Sequence, residues 1–257
     1  MTPPYVGRRT VHHIKGNYLS IFILEEAVFD SLSTSRLTHI RRSSQPFHSL
    51  PFSLYGFSGV ANYVICTHGE DVNAWSHSHG TPLRTASNKG HIDVVRVLLD
   101  HGANVNTLYK NKTPLISAYD NGHLGMMRLL LEHGADVDAR DDFGNLLLKR
   151  ASIDGQAEVV QLLLQHNADV NSRGYLDWTP LQEASLFGRT KVVQILLDHG
   201  ADVALSSGHY HPLHIAIRKH FFEIVRLLVE HGADVNIRDG EDRTTIGPRT
   251  RWLNRMD

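Results

Sequence analysis

The sequence predicts an all-α repeat solenoid, in which helix-turn-helix units stack side by side and project short hairpin fingers. Two recurring words, each with a spacing near 33 residues, lead to this prediction. The first word is His-Gly-Ala-Asp-Val-Asn or a close variant, and it begins at His68, His101, His133, His166, His199 and His231. The second is Thr-Pro-Leu-x-x-Ala, which begins at Thr81, Thr113 and Thr179 and, in degenerate form, at Leu146 and His211.

The distances between the two words indicate where the helices lie. The second word always begins 20 residues before the next His of the first word, whereas 12 or 13 residues separate that His from the following second word. We expect the constant interval to hold two packed helices, and the variable interval to be a surface turn or hairpin that tolerates a length change.

Residues at fixed positions predict the helix boundaries. Thr favours the N-cap and Pro the first helical position, so each second word marks the start of a first helix. A glycine stands nine residues later in four of the repeats and predicts the break between helices. An apolar stripe such as Ile92, Val95 and Leu98 then predicts the second helix. The residue after the His closes that helix in a left-handed conformation, and Asn167 replaces the usual Gly there.

These words closely resemble the ankyrin repeat, which has a period of about 33 residues. The resemblance implies five ankyrin repeats over residues 74–242. A degenerate repeat over 48–73 precedes them, because His48-Ser49-Leu50 stands 20 residues before His68. Residues 243–257 are interpreted as the start of a truncated repeat, followed by a basic tail. The segment 1–47 shows no repeat word and is either a capping helix with a linker or partly disordered.

Composition and charge narrow the function classes. The chain has 257 residues, with 26 Lys or Arg and 27 Asp or Glu. Residues 70–242 hold 16 basic and 23 acidic residues, which argues against nucleic acid as a partner. The longest apolar run, 21–24, is far too short to insert into a membrane. The single cysteine, Cys66, favours a reducing compartment, so we expect an intracellular protein of the cytoplasm, the nucleus or both.

No motif in the sequence carries catalytic or metal chemistry. The phosphate-binding G-x-x-x-x-G-K-[ST] pattern and the H-E-x-x-H pattern are missing. The histidines 209, 211, 214 and 220 lack the paired ligand spacing of a structural zinc site. Cys66 aligns with Leu99 of the next repeat, so we expect a core side chain rather than a nucleophile. The sequence therefore predicts a protein that is not an enzyme and needs no metal or cofactor.

The register of the repeats predicts which residues face a partner. Stacked repeats expose a concave surface made of the fingers and the first helices. Aromatic and arginine side chains on such a surface are the types that anchor protein interfaces. The predicted partner-binding residues are Trp178, Tyr175, Phe187, Phe143, Tyr210, Tyr109, Leu176, Arg173 and Arg140. We expect Trp178 to contribute most, since it stands one residue before a Thr-Pro cap, where finger and helix meet.

The resemblance implies a monomeric, non-catalytic adaptor or scaffold that binds a protein on its concave face. One alternative is the repeat array of a larger signalling protein. Another is the substrate-receptor subunit of a ubiquitin ligase, which needs a recruitment box that neither 1–47 nor 243–257 supplies in recognisable form.

The resemblance also implies a modification, because ankyrin repeats are substrates of an asparaginyl hydroxylase. The asparagines that end the first word, Asn73, Asn106, Asn171 and Asn236, are the candidate sites. The simpler interpretation, which we favour, is that their side chains only hydrogen-bond the local backbone of the turn.

Overall fold

A computed structural model gives the fold of most of the repeat region. The structure describes residues 56, 58–68, 71–77, 79–141, 143–174, 177–207 and 210–236. These residues form eleven α-helices: α1 (Ser58–His68), α2 (Pro82–Lys89), α3 (Ile92–Asp100), α4 (Pro114–Asp120), α5 (Leu124–Glu132), α6 (Leu147–Asp154), α7 (Ala157–Gln165), α8 (Pro180–Leu186), α9 (Thr190–Asp198), α10 (Pro212–Arg218) and α11 (Phe222–Glu230). The segments 1–47 and 243–257 and the word at 48–50 lie outside the described residues.

The helices form antiparallel pairs that stack in chain order, which confirms the predicted all-α repeat solenoid. The pairs are α2–α3, α4–α5, α6–α7, α8–α9 and α10–α11, and α1 packs on α3. At most joints the first helices of neighbouring repeats approach each other more closely than the second helices do. The stack therefore curves toward the first helices, which line its concave side. Isolated antiparallel bridges such as Tyr109 with Lys112 close the fingers.

The first helices begin where the second word predicts. The hydroxyls of Thr81, Thr113 and Thr179 accept hydrogen bonds from the backbone N–H three residues later, and Pro follows each cap. Leu146 occupies the same position before α6 and makes no side-chain cap bond. Because a missing cap costs about 1 kcal/mol, the third repeat has the weaker helix start that its degenerate word predicts.

The second helices end as expected from the first word. Asn167 has a left-handed φ of +64°, so it replaces the usual glycine after the helix. The rings of His101, His133, His199 and His231 each place Nδ1 2.8 to 2.9 Å from the carbonyl oxygen four residues earlier. Since a carbonyl only accepts, Nδ1 carries the proton in these rings. In these four repeats the histidine ring therefore caps the helix that it ends, because it donates to a carbonyl oxygen of that helix.

The core follows the repeat register at its central positions, and Cys66 departs from it. The alanine of each second word is fully buried, and its small side chain allows the close approach of neighbouring first helices: Ala86, Ala118, Ala151, Ala184 and Ala216. The core role predicted for Cys66 is wrong, because its side chain is exposed. The Cys66 Sγ lies 3.3 Å from Nε2 of His101 at the surface between two repeats.

The asparagines that end the first word connect neighbouring repeats. Asn73 Oδ1 accepts from the backbone N–H of Asn104 at 2.7 Å, and Asn106 Oδ1 accepts from that of Asp136 at 2.8 Å. Asn171 makes the same bond to Asp202. The prediction that these side chains bond only their own turn is wrong. The residue two positions earlier supplies the local side-chain bond of the turn. For example, the Asp71 carboxylate accepts from the backbone N–H of Asn73.

Candidate partner-binding surface

The fingers and the first helices together form the surface that we call the groove face, comprising residues 74–90, 107–122, 139–155, 172–188 and 205–220. The second helices and the loops after them, residues 91–106, 123–138, 156–171, 189–204 and 221–236, form the outer face. Each groove-face segment combines a finger with a first helix, so its side chains start from a defined backbone.

Three of the predicted aromatic anchors are exposed, one on each of three successive repeats of the groove face. Phe143 is 78% exposed at the tip of the third finger, while Phe187 and Tyr210 are 45% and 49% exposed. The Asp141 carboxylate accepts from the backbone N–H groups of Phe143 and Asn145 at 2.9 and 2.8 Å. This carboxylate closes the turn and holds the Phe143 backbone in place, so the ring projects from an ordered tip.

Trp178 lies beside Tyr210 of the next repeat. The two ring centroids are 5.4 Å apart, and Trp178 is half-buried. Below them, Thr179 and Gln182 form a capping box, and Gln182 Nε2 donates to the Tyr210 carbonyl at 2.6 Å. The Trp178–Tyr210 pair is thus held at the starts of α8 and α10, and its two rings form one continuous aromatic surface. Tyr175 and Leu176, predicted in the same finger, lie outside the described residues.

Tyr109 does not have the exposure that its register predicts. It is 6% exposed, and its hydroxyl donates to the His77 carbonyl at 2.8 Å. A Cβ on Gly80 would lie 2.8 Å from the Tyr109 ring, so the glycine leaves room for this packing. The ring fills the space between the first two fingers, and Trp75, 5.4 Å away, is exposed instead. The repeat spacing places both Trp75 and Tyr109 in fingers, so it does not reveal which of the two rings is buried.

The two predicted arginines are exposed and bonded within their own fingers. Arg140 Nη1 donates to the Gly144 carbonyl at 2.8 Å, and Arg173 pairs with Asp177. Both side chains therefore support the finger backbone while their guanidinium groups stay accessible.

A charged network that the sequence analysis did not identify crosses from the second repeat to the third. Asp120 accepts from Lys112 at 2.6 Å and from Arg150 at 2.8 Å, and Arg150 also lies 3.5 Å from Asp141. Burial raises the pKa of Asp120, but the two cationic hydrogen bonds outweigh burial and hold the pKa below its ordinary value. No local motif marks these residues, because Asp120 and Arg150, which join the two repeats, stand 30 positions apart.

Next to this network a cleft of about 730 Å³ opens between the second and third repeats. Its walls include Gly122 and Met127 on one side and Gln156 and Val159 on the other. Among the described residues, α4 and α6 do not share the close approach seen between α2 and α4 or between α6 and α8. The Arg150 network therefore spans the joint where the helices lie farthest apart.

A buried ion pair connects the third and fourth repeats. Lys149 Nζ lies 3.1 Å from a Glu183 carboxylate oxygen, and both side chains are nearly inaccessible. The Lys149 stem runs under the fourth finger, where a Cβ on Gly174 would lie only 2.7 Å from Lys149 Cδ. The Lys149–Glu183 ion pair thereby fixes the position of the fourth finger relative to α6 and α7.

The described part of the chain shows neither a cluster of metal ligands nor a membrane-spanning helix. Within it, no three His, Cys, Asp or Glu side chains come together in a way that holds a metal ion. In the same residues, no helix has the length and apolar character needed to cross a membrane.

Comparisons with known proteins place these features in context. A family model described as ankyrin repeats (3 copies) matches residues 53–141 and 148–239. The human ASB11 ankyrin repeat domain is 26% identical, with a TM-score of 0.62, and the match covers 84% of this chain and 99% of that one. The Bcl-3 ankyrin repeat domain, described as a unique member of the IkappaB protein family, is 27% identical, with a TM-score of 0.70 and coverage of 79% and 96%.

One curated protein is similar over a short stretch. BCL-6 corepressor-like protein 1 of Mus musculus is 41% identical over 51 residues, which is 20% of this chain and 3% of that protein. The chain thus matches only a small part of the length of this curated relative.

Proposed function

The chain belongs to the ankyrin-repeat family, and from this premise we propose that it is a monomeric, non-catalytic adaptor or scaffold. Ankyrin repeats are protein-interaction modules, and the proposal assigns the interaction to the groove face. It also places the protein inside the cell, in the cytoplasm, the nucleus or both. The proposed anchors are Trp178, Phe143, Phe187 and Tyr210, with Tyr175, Leu176, Arg140 and Arg173 around them and buried Tyr109 supporting the first two fingers.

The exposure of Phe143, Phe187 and Tyr210 is the observation that carries this proposal. A few aromatic side chains supply most of the binding energy in protein interfaces. Phe143 stands in a closed turn, Phe187 directly follows the capped helix α8, and Tyr210 directly precedes the N-cap of α10, so little conformational freedom is lost when a partner binds. Their positions on three successive repeats suit a partner that extends along the stack.

The proposal is tested by comparing partner capture by matched pairs of variants. Proximity labelling with the full chain identifies partners of the wild type, and the same experiment is repeated with Phe143→Ala combined with Phe187→Ala. We expect these partners to be lost. The control combines Phe222→Ala with Val229→Ala, which removes two exposed apolar side chains from the outer face. Partners that persist in the groove-face variant and disappear in the control would contradict the assigned surface.

The candidate hydroxylation sites Asn73, Asn106, Asn171 and Asn236 form a secondary proposal. Hydroxylation at Cβ leaves the amide group intact, so the inter-repeat bonds of Asn73 and Asn106 are chemically compatible with it. Mass spectra of peptides from native material test the proposal. A mass increase of one oxygen supports it, and unmodified peptides at all four positions contradict it.

A further inference from the structure

Charge is unevenly divided between the two faces of the stack. The groove-face segments hold ten Lys or Arg and six Asp or Glu, whereas the outer-face segments hold five and twelve. The groove face is therefore positive and the outer face strongly negative, although the whole chain is nearly neutral. Such a separation creates a potential that selects partners by their charge.

The acidic residues of the groove face are mostly engaged within it. Asp120 and Asp141 contact Arg150, Glu183 contacts Lys149, and Asp177 contacts Arg173, as described above. Asp154 accepts a hydrogen bond from the Tyr119 hydroxyl. These contacts neutralise or occupy the carboxylates, so they offer little repulsion to an anionic partner.

Five basic side chains of the same face, in the first, second, third and fifth repeats, remain exposed. They are Lys89, Lys110, Arg140, Arg218 and Lys219. Lys110 lies over the Tyr109 ring and Arg140 bonds a carbonyl oxygen, so neither contact cancels a positive charge. Among the described residues, none of the five forms an ion pair with a carboxylate.

The spacing of the repeats suits an extended chain, although the five basic side chains do not share one position within their repeats. Packed helices lie about 10 Å apart, so equivalent side chains on successive repeats recur at about this distance. An extended polypeptide rises about 3.3 Å per residue, which places every third residue opposite the next repeat. Acidic residues at about this interval pass the repeats that carry the basic side chains, and apolar residues between them pass Phe143, Phe187 and Tyr210.

We propose that the groove face binds an extended, acidic segment of a partner protein, with acidic residues about three positions apart and apolar residues between them. This inference rests on the proposed function and adds the chemical class of the partner. The exposed aromatic rings favour a polypeptide with apolar side chains, and the acidic outer face repels a polyanion large enough to wrap around the stack.

The inference is tested with defined probes and the whole 257-residue chain. A fluorescein-labelled 15-residue peptide of five Glu-Leu-Ser triplets is titrated by fluorescence polarisation, beside its Lys-Leu-Ser counterpart and a 20-nucleotide single-stranded DNA. We expect the acidic peptide to bind most tightly, and its affinity to fall at least tenfold between 50 and 300 mM salt. Binding of the basic peptide or the DNA with equal or higher affinity overturns the inference, and so does absence of binding by the acidic peptide at millimolar protein concentration.

Charge-reversal variants locate the binding surface. Lys110→Glu, Arg140→Glu and Arg218→Glu together should weaken binding of the acidic peptide at least tenfold. The matched control reverses three exposed basic residues of the outer face, Arg96→Glu, Arg128→Glu and Lys191→Glu, and should change it less than twofold. An equal loss in the control overturns the inference. Circular dichroism of both variants verifies that they remain folded.

The two proposals fail in different ways. If cellular partners depend on Phe143 and Phe187 but the acidic peptide does not bind, the proposed function stands and the acidic class is wrong. If the acidic peptide binds the groove face but cellular partners do not depend on those two rings, the aromatic anchors of the proposed function are wrong.

Discussion

Gln156 leaves Gly122 uncovered across the joint between the second and third repeats. Among the described residues, apart from Gly122 and its two chain neighbours, no atom lies within 4 Å of the position that a Cβ on Gly122 would take. At the other joints, the residue in register with Gln156 packs over the corresponding residue of the preceding repeat: His91 over Gly56, His123 over Gly90, Arg189 over Gly155 and Phe221 over Gly188. The short amide side chain at this one joint accounts for the cleft beside it.

Filling this cleft should stabilise the array. Gln156→His introduces the ring that covers the glycine at two other joints, on a backbone with nearly the same φ and ψ as His91 and His123. We expect the free energy of unfolding to rise by about 1 kcal/mol, as is common for cavity-filling changes. Urea denaturation measures this change. Gln161→His, at an exposed position of α7, is the control, and an equal gain there would refute the packing argument.

Asp138 interrupts the row of asparagines that connects the repeats. It lacks the amide N–H group through which Asn73 and Asn106 reach the carbonyls of Gly102 and Gly134. Burial raises the pKa of Asp138, as do the nearby carboxylates of Asp136 and Asp169. Because the folded protein holds this proton more strongly than the unfolded chain, the Asp138 charge reduces stability as the pH rises through its titration range.

Asp138→Asn should therefore stabilise the protein, and the gain should depend on pH. We expect an increase of about 1 kcal/mol at pH 7, where the carboxylate is charged, from one restored hydrogen bond and less repulsion. The gain should shrink as the pH falls through the titration range of aspartate, since protonation already removes the repulsion. Denaturation at pH 7 and pH 4 measures both values. Glu132→Gln removes a nearby exposed charge and should show no comparable gain.

The buried pair of Lys149 and Glu183 should be energetically coupled. Glu183→Gln leaves the buried ammonium without its carboxylate and should lower the free energy of unfolding by about 3 kcal/mol. Lys149→Met combined with Glu183→Gln removes the buried charge as well and should recover much of that loss. A double-mutant cycle gives the coupling energy. Additive effects of the two single changes would show that the pair does not act as a unit.

Trp178 and Phe143 should respond differently to truncation. Trp178→Ala removes a half-buried ring in contact with Tyr210, so we expect a loss of about 2 kcal/mol in stability as well as weaker partner binding. Phe143→Ala should change stability by less than about 0.5 kcal/mol, because the ring is exposed. Both should weaken partner binding by about 2 kcal/mol. Melting temperature and partner affinity separate the two effects, and normal binding by Phe143→Ala would exclude this ring as an anchor.

Features set by short-range chain physics were predictable from the sequence. The Thr81, Thr113 and Thr179 caps and the left-handed Asn167 depend on residues within one helical turn. The fully buried alanines follow from the period of the words, because every repeat meets its neighbour in the same register. The repeated words therefore determined the fold and the position of each helix.

Contacts between particular side chains of neighbouring repeats were decided only by the tertiary structure. Tyr109 is buried because Gly80 leaves room for its ring, and Cys66 is exposed although Leu99 occupies the same register. Arg150 reaches Asp120 across 30 positions, and Gln156 is too short to close the cleft over Gly122. A repeat motif specifies where each backbone segment lies. The length and charge of the two side chains that meet at a joint determine whether that joint is packed, ion-paired or open.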